Sequence, residues 1–226
     1  MIGAFRHISD RRKVLANAVN VKGHFEEWEE TCVPSYCHPN ILAAYVSWWR
    51  LFKAVAMAKT GLRNKHPEGS SDRCLSVLDF GASVGELAHL TGNWEYHFVE
   101  EEAVARNFLV KQIPEAHEQN LEQLPVAHYD LIFALDSLEH NRNFVEILVK
   151  LRTALKPGGL LVISGPTENM MYRLGRKIAG FDGHYHETNI YAIEREVKEL
   201  FSLVSGASLP FSLPLFRVSV WRFGEG

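Results

Sequence analysis

The feature that most constrains this chain is a change of pattern near residue 74. Beyond it, short apolar runs at residues 75–80, 96–99, 131–135 and 160–164 read as strands. Between them, residues 86–90 and 101–111 and the stripe Phe144, Leu148, Leu151, Leu155 read as helices. Strands that alternate with helices form β-α-β units, and these build a parallel sheet covered on both faces. A third strand should fall at residues 115–120, but that segment is polar and reads weakly. The end of the chain breaks the pattern. Ile190, Ile193, Val197 and Phe201 form one more helical stripe. Residues 202–208 and 216–223 then read as two strands with Pro210 and Pro214 between them, an antiparallel pair at the sheet edge. The expected class is α/β.

The first seventy residues read as helical. Ser9 is a candidate cap for a helix through Val14 to Val19. Ile41, Tyr45, Trp48, Phe52 and Val55 recur at spacings of three and four, the amphipathic period. Gly61 is the expected stop of that helix. Residues 64–72 are polar and rich in turn formers, so the chain divides into a helical N-terminal extension, 1–72, and a main domain, 73–226. Composition bounds the function. The 226 residues carry a net charge of −3, which excludes the strongly basic footprint of a dedicated nucleic-acid binder. Three cysteines make no disulfide framework, and Cys32, Cys37 and His38 lack a fourth ligand at zinc-site spacing, so no metal is expected. The most lipophilic stretch, residues 41–58, contains Arg50 and Lys53 and does not read as a membrane span. A cytoplasmic protein follows, with peripheral membrane contact through Trp48, Trp49, Phe52, Arg50 and Lys53 as an alternative to simple packing of that helix.

The informative segment runs Val77-Leu78-Asp79-Phe80-Gly81-Ala82-Ser83-Val84-Gly85-Glu86, where the first strand turns into the first helix. In open α/β sheets ligands bind at the carboxyl ends of the strands. Three chemistries compete for this loop. A dinucleotide loop needs glycine at 83 and 86, and Glu86 would repel a pyrophosphate. A serine hydrolase elbow matches literally as G-x-S-x-G around Ser83, with Asp136, His184 and His186 following in order. An S-adenosylmethionine site uses Asp79 for the cofactor ammonium and Gly81 and Gly85 for close backbone approach. It also places Glu100, at the end of the second strand, on the ribose hydroxyls. Paired acids at the tips of consecutive strands favour the third.

Residues 77–90 resemble the first motif of class I S-adenosylmethionine-dependent methyltransferases. Tyr129-Asp130-Leu131-Ile132-Phe133-Ala134-Leu135-Asp136-Ser137-Leu138-Glu139-His140 resembles the fourth-strand motif of their small-molecule branch. Leu155-Lys156-Pro157-Gly158-Gly159-Leu160-Leu161-Val162-Ile163-Ser164 resembles their turn and fifth strand. The resemblance covers about residues 74–223. It implies a Rossmann-like sheet of seven strands whose last strand is antiparallel. It implies that S-adenosyl-L-methionine is bound by Asp79, Gly81, Ser83, Gly85, Glu100, Asn120, Leu121 and Leu135. Ser83 stands where the family usually has glycine, and Asn120 where it often has an acid. Both departures leave room for a non-catalytic methyltransferase-like binding protein.

The implied activity is methylation of a small molecule, expected at oxygen, with His140, His184 or His186 as general base. Residues 165–189 are the substrate-specific part. Thr167 is placed to cap a helix through Met170, Met171, Leu174 and Ile178. Arg173, Arg176 and Lys177 give that helix a basic side, suited to an anionic or lipid-linked substrate. Residues 180–186 read as a lid over it.

Overall fold

The computed structural model describes residues 2–22, 28, 31–63, 74–167, 188–209 and 215–224. Seven strands form one sheet in the order β3-β2-β1-β4-β5-β7-β6. The strands are β1 (Ser76–Phe80), β2 (Glu95–Val99), β3 (His117–Glu118), β4 (Tyr129–Leu135), β5 (Leu155–Pro166), β6 (Ser202–Leu209) and β7 (Phe216–Arg222). The first five are parallel, and β7 runs antiparallel to both β5 and β6. The polar third strand exists but has only two residues. The late pair is antiparallel as expected, and β7 slots between β5 and the edge strand β6.

Alternation along the strands sorts the core into two layers. Val77, Leu131, Phe133, Val162 and Val220 face the side covered by the N-terminal helices. Those helices are α1 (Ile2–Lys22), α2 (Val33–Tyr36) and α3 (Ile41–Arg63). The short α4 (Ala88–Thr91) and α5 (Ala103–Gln112) lie in the same layer. Leu78, Ile132, Leu161 and Ile163 face the other side, under α6 (Phe144–Ala154) and α7 (Ile190–Leu200). Ile147, Leu148 and Leu151 of α6 and Ile190, Ile193 and Val197 of α7 complete that layer. Ile8, Leu15, Trp48, Val55 and Ala58 belong to one apolar cluster with sheet residues, so the N-terminal helices share the core of the main domain.

Several local expectations shift. Ser9 lies inside α1, which begins seven residues earlier, so it caps nothing. Gly61 lies within α3, which continues to Arg63. A Cβ at Gly61 would stand 2.9 Å from Leu160 Cδ1, so this glycine lets α3 press closely on β5. The expected helix at 86–90 shrinks to four residues because the glycine turn consumes the segment before it. The turn at 156–159 sits within the span of β5. Pairing begins at Leu155 with Tyr129, slips, and resumes at Leu160 with Leu131, and Gly158 takes up the slip at φ +74°. The boundary segment 64–72 and residues 210–214, between β6 and β7, lie outside the described residues.

Candidate active site

Parallel order brings the tips of β1, β2 and β4 side by side, because Asp79 pairs with both Phe98 and Phe133. Asp79 points into the layer under the N-terminal helices and is 4% exposed. Its Oδ2 accepts a 2.5 Å hydrogen bond from the Tyr96 hydroxyl. Burial pushes its carboxyl up to about 7, the Tyr96 bond opposes this, and the Glu100 carboxylate adds to it. Among the described residues no cation acts to offset the charge of Asp79. A buried carboxylate in that state favours a ligand that supplies a cation.

The loop after β1 turns sharply. Gly81 sits at φ +73°, and its N–H and that of Ala82 donate to Val99 O at 2.9 and 3.2 Å. A Cβ at Gly81 would collide with the Ser137 side chain. Gly85 sits at φ +79°, and a Cβ there would lie 2.6 Å from Leu109 Cγ. Ser83 also takes a positive φ, +49°. Its N–H donates to Glu100 Oε2 at 2.5 Å, and Glu100 Oε1 accepts from the Glu102 N–H at 2.8 Å. Burial raises the carboxyl of Glu100, and these backbone bonds oppose it. The Ser83 hydroxyl accepts from the Cys32 N–H at 3.3 Å and from Cys32 Sγ at 3.2 Å. The positive φ suits a nucleophile elbow. However, the hydroxyl is bonded to a thiol and an amide rather than an imidazole. Burial holds that thiol protonated, pushed up to about 12.

The tip of β4 carries further charged and polar groups. Asp136, at φ +50°, forms an ion pair with Arg50 of α3 and accepts from the Ser164 hydroxyl at 3.3 Å. Burial raises its carboxyl, and Arg50 opposes that most strongly. The Arg50 guanidinium lies 4.6 Å from the Phe216 ring. Ser137 Oγ is buried against Gly81 without a hydrogen-bond partner among the described residues. Tyr36 stacks on Trp48 with ring centroids 4.6 Å apart, and its buried hydroxyl is held far above its ordinary range. Charges on Arg50 and Asp136 both act on that hydroxyl. Glu86, assigned no role in the sequence, is 2% exposed and forks onto Arg11 of α1 at 2.7 and 2.9 Å.

The remaining sequence candidates fall as follows. Leu135 ends β4 and is half-buried. Asn120 is exposed, and its Oδ1 accepts from the Glu122 N–H at 2.9 Å, capping a short 3-10 turn that Leu121 begins. His140 is exposed at the end of a second such turn, close enough for its charge to act on Asp136. Thr167 is buried, with its N–H and hydroxyl directed at Leu215 O, 3.0 and 3.1 Å away. His184, His186, Arg173, Arg176, Lys177 and the expected lid lie outside the described residues. Trp48 and Arg50 turn inward, so α3 is a packing helix on that side.

A family described as a methyltransferase domain matches residues 49–209. The chain belongs to that family. The methyltransferase has no match among curated proteins. Its fold is similar to that of magnesium protoporphyrin IX methyltransferase from Synechocystis PCC 6803, solved with S-adenosylhomocysteine (16% identity, TM-score 0.61, covering 94% of this chain and 99% of that one). It is similar to the N-methyltransferase NodS from Bradyrhizobium japonicum WM9 (15% identity, TM-score 0.54, covering 74% and 86%). It is also similar to the cyclase SpnF (12% identity, TM-score 0.59, covering 80% and 82%), so the fold alone does not set the reaction. Family membership removes the hydrolase reading of Ser83, in agreement with its hydrogen bonds.

Proposed function

We propose that this methyltransferase uses S-adenosyl-L-methionine to methylate a small molecule at oxygen. The observation that carries the cofactor assignment is Asp79, a buried acid with no offsetting cation among the described residues. The Ser137 hydroxyl beside Gly81, without a hydrogen-bond partner among the described residues, is a second group that a bound ligand would satisfy. The residues therefore fit the group: Asp79 would hold its ammonium, Glu100 its ribose hydroxyls, and Asn120 and Leu121 its base. Gly81, Ser83, Gly85 and Leu135 would line its methionine end. When bound, the cofactor supplies an activated methyl group for displacement by a nucleophile.

The protein's part is orientation, exclusion of water and removal of a proton. Arg50 neutralises Asp136 at the tip of β4, which disfavours a cationic acceptor and suits a hydroxyl or an oxyanion. His140, within electrostatic reach of Asp136, takes the acceptor proton as methyl transfer proceeds.

The test is transfer of labelled methyl from S-adenosylmethionine to components of a small-molecule extract. The expected product is an ether or ester, and His140→Ala slows turnover with little change in cofactor affinity. Labelled product carrying the methyl on nitrogen or carbon would overturn the oxygen assignment. Cofactor binding with no labelled product would overturn catalysis.

A further inference from the structure

Basic charge is concentrated in two helices. Together α1 and α3 hold nine Lys and Arg residues and one acid, Asp10, in a chain whose net charge is −3. Arg11 and Arg50 turn inward to Glu86 and Asp136. Of the others, Arg6 is 87% exposed at its side chain. Lys13, Lys59 and Arg63 are exposed, and Arg12 and Lys53 are half-buried.

Exposed apolar side chains lie on the same two helices. Ile41 is 59% exposed, Phe5 51% and Trp49 46%. Ile41, Tyr45, Trp49 and Lys53 recur every fourth residue and so share one face of α3. The Phe5 ring lies 5.1 Å from that of Tyr45, which extends the face onto α1. Apolar residues exposed singly need no explanation, but an exposed aromatic stripe that carries Lys53 at its end, on helices rich in Lys and Arg, marks a contact surface.

We propose that this face of α1 and α3 docks the protein on an anionic phospholipid surface. Aromatic rings with an aliphatic neighbour seat at the headgroup boundary, and the exposed Lys and Arg of the same two helices match the negative charge of the lipid. The long basic side chains reach the headgroups while their stems cover apolar surface. A nucleic acid would use the charge but not the exposed Ile41 and Phe5. A second copy would bring two basic faces together against their repulsion. No described helix is long and apolar enough to cross the bilayer, so docking is peripheral. The same α3 carries Arg50 to the tip of β4, which ties the docked face to the acceptor end of the site.

Vesicle co-sedimentation of the full chain tests this. The protein should pellet with phosphatidylcholine vesicles containing about one-third phosphatidylglycerol, stay in solution with phosphatidylcholine alone, and release as salt rises. Arg6→Gln and Lys53→Gln should each weaken binding about fivefold. Ile41→Ser with Trp49→Ser should abolish it while leaving cofactor affinity unchanged. Should that pair lower the melting temperature, the two charge variants and the salt titration decide alone. The proposal fails if the protein ignores anionic vesicles, or if both sets of variants bind them as the parent does. It also fails if duplex DNA or RNA binds this face equally well and insensitively to the Ile41 and Trp49 changes. A dimer that those changes convert to monomer in sedimentation velocity would overturn it too.

Discussion

Cofactor affinity should depend on pH through Asp79. Its carboxyl is raised to about 7 from an ordinary 3.8, with burial as the main cause. A raised acid keeps its proton in the folded protein where the unfolded chain has lost it. Stability of the unliganded protein therefore falls as pH rises from about 4 to about 7, by up to about 4 kcal/mol from this one group. A bound ammonium reverses the preference and requires the carboxylate. Binding below neutral pH must then expel a proton. With a free-protein value near 7, the apparent affinity should weaken roughly 25-fold between pH 7.5 and 5.5, about 2 kcal/mol. Above about pH 8 the cofactor's own amino group loses its charge, so the best binding falls in a window near pH 7 to 8. Glu100 is raised too and steepens the acid side in the same direction. Isothermal titration of S-adenosylmethionine in two buffers of different ionisation enthalpy reads both the affinity and the proton count. Asp79→Asn should bind weakly with a much flatter acid limb. Equal affinity at pH 5.5 and 7.5, or an unchanged slope in Asp79→Asn, would refute the reasoning.

Three further outcomes follow from named contacts. Arg11→Leu leaves Glu86 buried without its cation and should cost about 3–5 kcal/mol by chemical denaturation, because removing one partner of a buried pair strands the other. Adding Glu86→Leu to that variant should recover most of the loss, and a double variant as unstable as the single one would show that the pair is not the cause. Gly85→Ala combines a positive φ of +79° with a Cβ 2.6 Å from Leu109 Cγ. It should destabilise by about 2–4 kcal/mol and weaken cofactor binding, checked by melting and titration. Glu100→Gln keeps the shape of the side chain but loses the charge that holds the Ser83 and Glu102 amides, so cofactor affinity should drop about tenfold in equilibrium titration.

Much of this protein was legible in the residues alone. The order of strands and helices follows from period: runs such as 160–163 are apolar throughout because both faces of the sheet are covered. Parallel strands with short following loops have little freedom at their carboxyl ends. For that reason Asp79 and Glu100, twenty-one residues apart in the chain, could be placed near one another from spacing alone, and Ser83 joins them through its amide. The glycines at 81 and 85 announced a tight turn because few other residues tolerate its backbone.

The tertiary structure decided what the N-terminal helices do. Arg11, Cys32 and Arg50 meet Glu86, Ser83 and Asp136, partners at least fifty residues away. In the sequence these charges look like any solvated helix face, since periodicity tells which side is apolar but not which distant acid lies beneath it. Gly61 reads as a helix stop until β5 is seen to pass within contact of α3. The two-residue β3 and the insertion of β7 beside β5 likewise depend on neighbours in space. Local pattern specifies the elements and their tips, because the backbone enforces it residue by residue; the pairing of distant charges is a property of the packed whole, where burial turns an ordinary ion pair into a fixed strut.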